Sequence, residues 1–352
     1  MSVVSPIEAS LLARDQDIRP YRQAYVAELD RELSREDLVA LMRAQLSQTP
    51  RLRQIVTGWP APFWADDAGF ELSGHVRETT LPVGQSIESW IGHRLAMASD
   101  RTHPLWQAWL VRLTDGPAVL VAFAHPAVLA APGAGQSPGA QLATGVAGMI
   151  DTALRTLGAK KAEYQVAGVA IDLDDVAAVA RDFACAVDDV TLAVIASGLR
   201  RWWVTRDEDP VALVQLGGRG GLVALPVQVD PLAQLAQLAS MTATWAGAPE
   251  DSGAVCAALA RAAQTVVGAP PHAVFIAGSG PTPGEFRLGD LRVRGATVFT
   301  TPTDDEEVAV TATNDGGRIL LGATATTPLA GFGRGVRDGL ATLVAATRRG
   351  RS

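Results

Sequence analysis

Asp188 and Asp189 stand side by side, and two carboxylates within reach of one another are the raw material of general acid/base catalysis. Neighbouring positions on a helix point in different directions, however, and this pair precedes an apolar segment, so capping of a helix N-terminus accounts for both. His75 and His93 have no carboxylate or cysteine at metal-ligand spacing, which leaves a metal site unsupported, and His103, within the stretch from Asp100 to Trp106, is a loop or surface residue. Gly217-Gly218-Arg219-Gly220-Gly221 would expose backbone N–H groups to a phosphate. It lacks both the lysine of a P-loop and the frame of a dinucleotide fingerprint, so it is a flexible turn. Cys185 and Cys256 lie in Ala/Val-rich stretches and are packed free thiols, in keeping with a reducing cytoplasm. Trp202 with Trp203, and Trp59 with Trp64, are core or interface aromatics before they are a ligand cage.

The elements that must position any such site follow from pattern and punctuation. With 352 residues, 48% of them hydrophobic and 19% charged, the chain can bury one large core or two ordinary ones. A net charge of -7 provides no broad basic surface, which argues against nucleic-acid partners. Lys160 and Lys161 are the only lysines, a sign of a GC-rich source genome of actinobacterial type. The first fifteen residues do not form a secretory signal, and the nearly uncharged run 117–135 is broken by Pro126, Pro132 and Gly133, so no transmembrane segment is expected.

Ser5-Pro6 starts one helix and Ser34 with Asp37 another. Pro50, Gly58, Pro60 and Pro62 predict a loop carrying Trp59, Phe63 and Trp64. A helix over 87–97 leads to two strands, 106–112 and 118–123, forming an antiparallel hairpin around Asp115-Gly116-Pro117. After a helix over 141–157, the lobe boundary falls at the lysine pair. The organisation is thus a first lobe over 1–157, a linker over 158–165 and a second lobe over 166–352. That lobe opens with a strand at 166–171 and continues through a buried helix at 190–203. Strands follow at 211–216, 273–276, 297–300, 308–313 and 318–323, with Asn314-Asp315-Gly316-Gly317 as a hairpin turn, and then a closing helix at 336–348. Strands and helices mix in both halves without regular alternation, which is the α+β pattern.

Taken in order, these segments resemble the bacterial wax ester synthase/diacylglycerol acyltransferase family. Asp100-Arg101-Thr102-His103-Pro104-Leu105-Trp106 is similar to its LDRSRPLW element, and 62–75 to its PxW…F.L..H stretch. Val187-Asp188-Asp189-Val190-Thr191-Leu192-Ala193 resembles VNDVVLA, and Leu225-Pro226 with Asp230-Pro231-Leu232 resembles LP…DPxxRL. Gly278-Ser279-Gly280-Pro281 half keeps SNVPGP. The resemblance implies the two-lobed fold of chloramphenicol acetyltransferase, mixed sheets with helices, and a channel between lobes. It also implies acyl-CoA as ligand or co-substrate with no covalently bound cofactor.

In that family catalysis depends on H-H-x-x-x-D-G, whose second histidine is the general base and whose aspartate holds the loop. An alcohol titrates far above neutrality, so its attack on a thioester gains roughly 10²–10⁴-fold from a nearby imidazole. Here the matching string is His125-Pro126-Ala127-Val128-Leu129-Ala130-Ala131. His125 remains, Pro126 replaces the base, and Ala130 and Ala131 replace the aspartate and glycine. Shifting the match by one residue makes His125 the base but leaves Leu129 and Ala130 in the last two places. The resemblance thus implies a degenerate member acting by binding a lipid, acyl-CoA or a protein such as an intact paralogue, cytoplasmic or peripheral at membranes or lipid bodies. Its alternative is an active O- or N-acyltransferase using His125. For the degenerate member, His125 is expected to be packed inward, with Pro126 in the place of the base and a mobile loop at 132–139.

Overall fold

A computed structural model describes residues 2–15, 17–29, 31–58, 62–114, 116–129, 161–203, 211–215, 222–245, 273–277, 287–288, 291–302 and 306–350. Outside the described residues lie Ala130, Ala131, the loop at 132–139, the helix expected at 141–157, Lys160, Trp59, the turn 217–221, Cys256 and the string 278–281. The chain forms two compact units. One comprises Met1–Tyr164 with Glu285–Ala296, and the other Gln165–Gly284 with Thr297–Ser352.

The first unit is built on two sheets. Strands β1 (Ser2–Val3), β3 (Gln54–Thr57) and β4 (Phe63–Asp66) form a small sheet in the order β1-β4-β3. The stretch expected to be a proline-punctuated loop therefore contains two strands. Pro50 opens a 3-10 turn, and Gln54 to Thr57 then pairs with Phe63 to Asp66 across the break. The larger sheet joins β2 (Gln23–Leu29), β5 (Val76–Thr80), β6 (Trp106–Arg112) and β7 (Val119–Ala124) with two strands from far along the chain, β12 (Arg287–Leu288) and β13 (Leu291–Thr300). Its order is β12-β13-β2-β7-β6-β5. A segment beyond residue 166 thus completes the first unit's sheet, and Val293 joins its core beside Ala27, Leu38 and Leu110. The expected hairpin is present, with Trp106 opposite Ala124 and Val111 opposite Val119.

The helix Pro6–Arg14 begins with a reciprocal cap. Ser5 accepts from the Glu8 N–H, and Glu8 Oε2 accepts from the Ser5 N–H at 2.6 Å. Glu8 is buried because it also pairs with Arg51, whose guanidinium lies 4.3 Å from the centroid of the fully buried Trp64 ring. Satisfying a buried carboxylate from two sides is what makes its desolvation tolerable.

The second unit has one mixed sheet, ordered β10-β9-β11-β14-β15-β8. Its strands are β8 (Gln165–Asp172), β9 (Val211–Gln215), β10 (Leu222–Pro226), β11 (Ala273–Ala277), β14 (Glu306–Asn314) and β15 (Arg318–Ala325). The helix Val187–Trp202 is apolar around most of its circumference, as its sequence predicts, and buries Val190, Val194, Ile195 and Leu199 in the core. The closing helix Phe332–Gly350 packs against it at close range. A Cβ on Gly335 would stand 2.6 Å from the Ser197 carbonyl oxygen and 3.0 Å from the Gly198 Cα.

Those contacts set up a competition of known sign. Alanine at position 335 gains about 1 kcal/mol of helix propensity, but overpacking costs about 1–3 kcal/mol, and backbone atoms cannot swing aside. Gly335→Ala is expected to lower the stability of the second unit by about 1 kcal/mol. The measurement is the urea midpoint at unchanged slope, and a raised midpoint would contradict the packing.

Candidate functional site

β7 carries the candidate residue to its place. It lies between β2 and β6, paired antiparallel with both, and its residues Val121 and Phe123 are fully buried. At its end the His125 N–H donates to the Leu105 carbonyl at 2.9 Å, which extends the ladder by one bond. The chain then turns into the short helix Pro126–Leu129. Proline suits this first helical position, where no N–H is required and φ is already set. The His125 carbonyl accepts from the Val128 N–H at 2.9 Å, and its ring Nδ1 accepts from the Ala127 N–H at 3.0 Å. Ala127 and Val128 are buried with Val4, Leu12, Trp64 and Leu105.

The hydrogen bond at Nδ1 decides what the ring can do. A backbone N–H can only donate, so Nδ1 holds the lone pair and the neutral imidazole carries its proton on Nε2. Nε2 is buried and has no hydrogen-bond partner. The ring is 1% exposed and meets Tyr21 edge-on at 6.2 Å between centroids. Burial, then the positive charges of Arg101 and Arg22, push its pKa down to about 3. A general base needs a lone pair directed at the alcohol proton. His125 offers a sealed N–H instead. It therefore acts as a capping and packing residue of the turn that follows.

The Asp100 to Trp106 element braces this turn from outside. Arg101 Nη2 donates to the Asp15 carbonyl at 2.6 Å and to the Leu12 carbonyl at 3.3 Å, which satisfies the C-terminal end of the helix Pro6–Arg14. It also lies 3.7 Å from the Asp15 carboxylate, which accepts from the Tyr21 N–H at 2.9 Å. Burial raises the Asp15 pKa against these favourable contacts. Asp100 accepts from Thr102 and pairs with His103 Nδ1 at 2.9 Å, both exposed. Pro104 and Leu105 are buried, and Trp106 Nε1 donates to the Leu52 carbonyl at 2.7 Å.

The two aspartates of the second unit part company. Asp188 is exposed, whereas Asp189 is buried and its Oδ2 accepts from the Ala186 N–H at 3.0 Å at the start of the helix Val187–Trp202. Among the described residues no cluster of three His, Cys, Asp or Glu could hold a metal. A cavity of about 480 Å³ lies in the first unit, with Leu105, Trp106 and Phe123 in its wall and without His125. His75 also lines it, stacked on Trp106 with 4.8 Å between centroids. The sequence pointed to no pocket there, because the residues that form it are scattered between positions 22 and 123.

Residues 8–129 match the family model described as wax ester synthase/diacylglycerol acyltransferase catalytic domain. Over 86 residues the chain is 35% identical to a Mycobacterium tuberculosis protein named "Probable diacylglycerol O-acyltransferase tgs3". That stretch is 22% of this chain, and the chain spans only 32% of the length of that relative. Among solved structures, the wax ester synthase/diacylglycerol acyltransferase from Marinobacter aquaeolei VT8 superposes with a TM-score of 0.71 at 18% identity, over 99% of this chain and 100% of that one. The first condensation domain of the calcium-dependent antibiotic synthetase gives 0.61 at 14% identity, over 98% and 96%. At these identities the structures establish the α+β acyltransferase fold.

The depressed titration of His125 has a measurable consequence. The unfolded chain takes up a proton near pH 6.5 that the folded chain refuses until about pH 3. The stability linked to this residue is therefore complete above about pH 6.5 and is lost as pH falls towards 3, at up to about 1.4 kcal/mol per unit. His125→Asn keeps an oxygen to accept from Ala127 and cannot titrate. The variant is expected to lose stability less steeply than the parent between pH 6.5 and 4 in urea titrations. Parallel slopes for the two proteins would show that His125 is not held neutral.

Proposed function

We propose, from the match of residues 8–129 to the wax ester synthase/diacylglycerol acyltransferase family model and from the shared fold, that this chain is a homologue that no longer performs family-type ester synthesis and acts by binding. The ligand is an acyl lipid or acyl-CoA, or the partner is a protein such as an intact paralogue. One observation carries the reading: the Ala127 N–H occupies Nδ1 of His125, so the sole histidine matching the family motif presents a protonated, sealed Nε2. The substitutions at Pro126, Ala130 and Ala131 point the same way, since neither proline nor alanine can take up a proton or anchor a loop by a carboxylate. Among the described residues no helix is long and apolar enough to cross a membrane, which fits contact with lipid from one side.

Two measurements on the purified chain test this. Incubation with long-chain acyl-CoA and either a long-chain alcohol or diacylglycerol is expected to yield no wax ester or triacylglycerol above the enzyme-free rate. Native mass spectrometry is expected to show a copurified acyl lipid or a saturable acyl-CoA adduct. Ester or amide formation that His125→Ala abolishes would establish the competing reading, an active acyl-CoA-dependent acyltransferase.

A further inference from the structure

The cavity of the first unit has three arginines in its wall. Arg22, Arg77 and Arg94 all line it, and they come from the residue just before β2, from β5 and from the helix Ile87–Leu95. Arg94 lies 4.1 Å from the Trp109 ring centroid and 5.4 Å from that of Trp90, and Arg77 lies 5.4 Å from that of Trp109. Both guanidinium groups thus lie against the same indole and line the same cavity. Neither group pairs with a carboxylate among the described residues. Arg77 Nε donates to the Gly74 carbonyl at 3.0 Å, and Arg94 Nη1 contacts Met97 Sδ at 3.7 Å. Burial, followed by the charge of Arg77, lowers the Arg94 pKa, as expected for a cation held in place without a counter-ion. Arg22 is tied to the Arg94 and Met97 carbonyls at 3.3 Å each, which fixes the end of the helix that carries Arg94.

His75 adds a different polar group to the same wall. Its Nδ1 donates to the Trp106 carbonyl at 2.8 Å, so its neutral ring keeps the Nε2 lone pair. That nitrogen is not among the buried atoms lacking a partner, unlike Nε2 of His125. Glu71 and Asp100 also line the cavity, but Asp100 is engaged by Thr102 and His103. Phe123, Leu105 and Trp106 supply an apolar surface, and about 480 Å³ exceeds what an inorganic ion needs.

We propose that this cavity binds a phosphomonoester, with the Arg77 and Arg94 guanidinium groups on its phosphate and the apolar wall against its organic part. A phosphate has enough oxygens to accept from two planar forks at once and, when singly protonated, can donate to His75 Nε2. An ionised carboxylate would spend its roughly four acceptor sites on the two forks and has no proton to donate to His75 Nε2. The inference goes beyond the proposed function, since it does not depend on the fate of the family motif.

The test is titration calorimetry of the full chain with inorganic phosphate as the minimal probe, at low and then raised ionic strength. One saturable site is expected, weakened about tenfold or more in Arg94→Met and in Arg77→Met and unchanged in Arg348→Met, which is not among the residues lining the cavity. Arg94→Lys retains the charge without the fork, so it guards against misfolding as the cause and is expected to bind with intermediate affinity. Absence of saturable binding, equal binding by the cavity variants, or acetate binding as tightly as phosphate would overturn the proposal. Two further arms identify the source of the phosphate. Tighter binding of coenzyme A than of dephospho-coenzyme A would assign a nucleotide ligand, and binding of phosphatidate but not phosphatidylcholine vesicles would assign a lipid headgroup. Either result supports the site, and its failure would leave the lipid-adduct measurement untouched.

Discussion

The bond from the Ala127 N–H to His125 Nδ1 lies in a dry interior, and most of the candidate site's character follows from it. In water an imidazole exchanges tautomers freely. In a site with 1% exposure, a donor fixed on one nitrogen removes that freedom and places the proton on the other. The same bond ends the strand, because it starts the helical turn that buries Ala127 and Val128. Chemistry and local structure are therefore set by a single contact, and a ring in this state is a poor base however close a substrate comes.

This contact persists only because its surroundings hold the turn still. Leu105 extends the ladder to the His125 N–H, and Leu12 and Trp64 close over the far side. Arg101 ties the end of the helix Pro6–Arg14 to the segment before β6, and its charge further disfavours a charged imidazole. Within the Asp100 to Trp106 element, Arg101, Leu105 and Trp106 meet backbone or core, whereas Asp100, Thr102 and His103 pair with one another at the surface.

The two buried histidines of the first unit show how position sets capability. His125 accepts at Nδ1 and is closed at Nε2, whereas His75 donates at Nδ1 and lines a cavity. Both have lowered pKa values, and burial is the leading cause for each. What separates them is the partner each backbone offers, a strand carbonyl for one and a helical N–H for the other. The arginines near His75 add charge that the sheet's aromatic residues support without neutralising it.

Composition and punctuation by themselves determined the elements whose signals are local. Ser5-Pro6 and Ser34 with Asp37 marked helix starts through side chains that cap within three residues. Asp115-Gly116-Pro117 marked the hairpin between β6 and β7. The order of short motifs was also enough to indicate the family and its two-lobed fold. Strands 54–57 and 63–66 were hidden because flanking prolines read as loop, and their pairing partners lay across the break. β2 passed unnoticed for a related reason: Gln23, Tyr25 and Glu28 obscure the apolar pattern of a strand that neighbours β7 and β13 in the sheet. The sequence could show that Pro126 follows His125 where the resembled family's motif has a second histidine, since that is a matter of residue identity. Only the tertiary structure decided the tautomer, because the donor to Nδ1 is a backbone group whose direction depends on how the turn packs. It alone gathered Arg22, Arg77, Arg94 and His75 around one cavity, since residues so far apart in sequence meet only when folding brings their segments together.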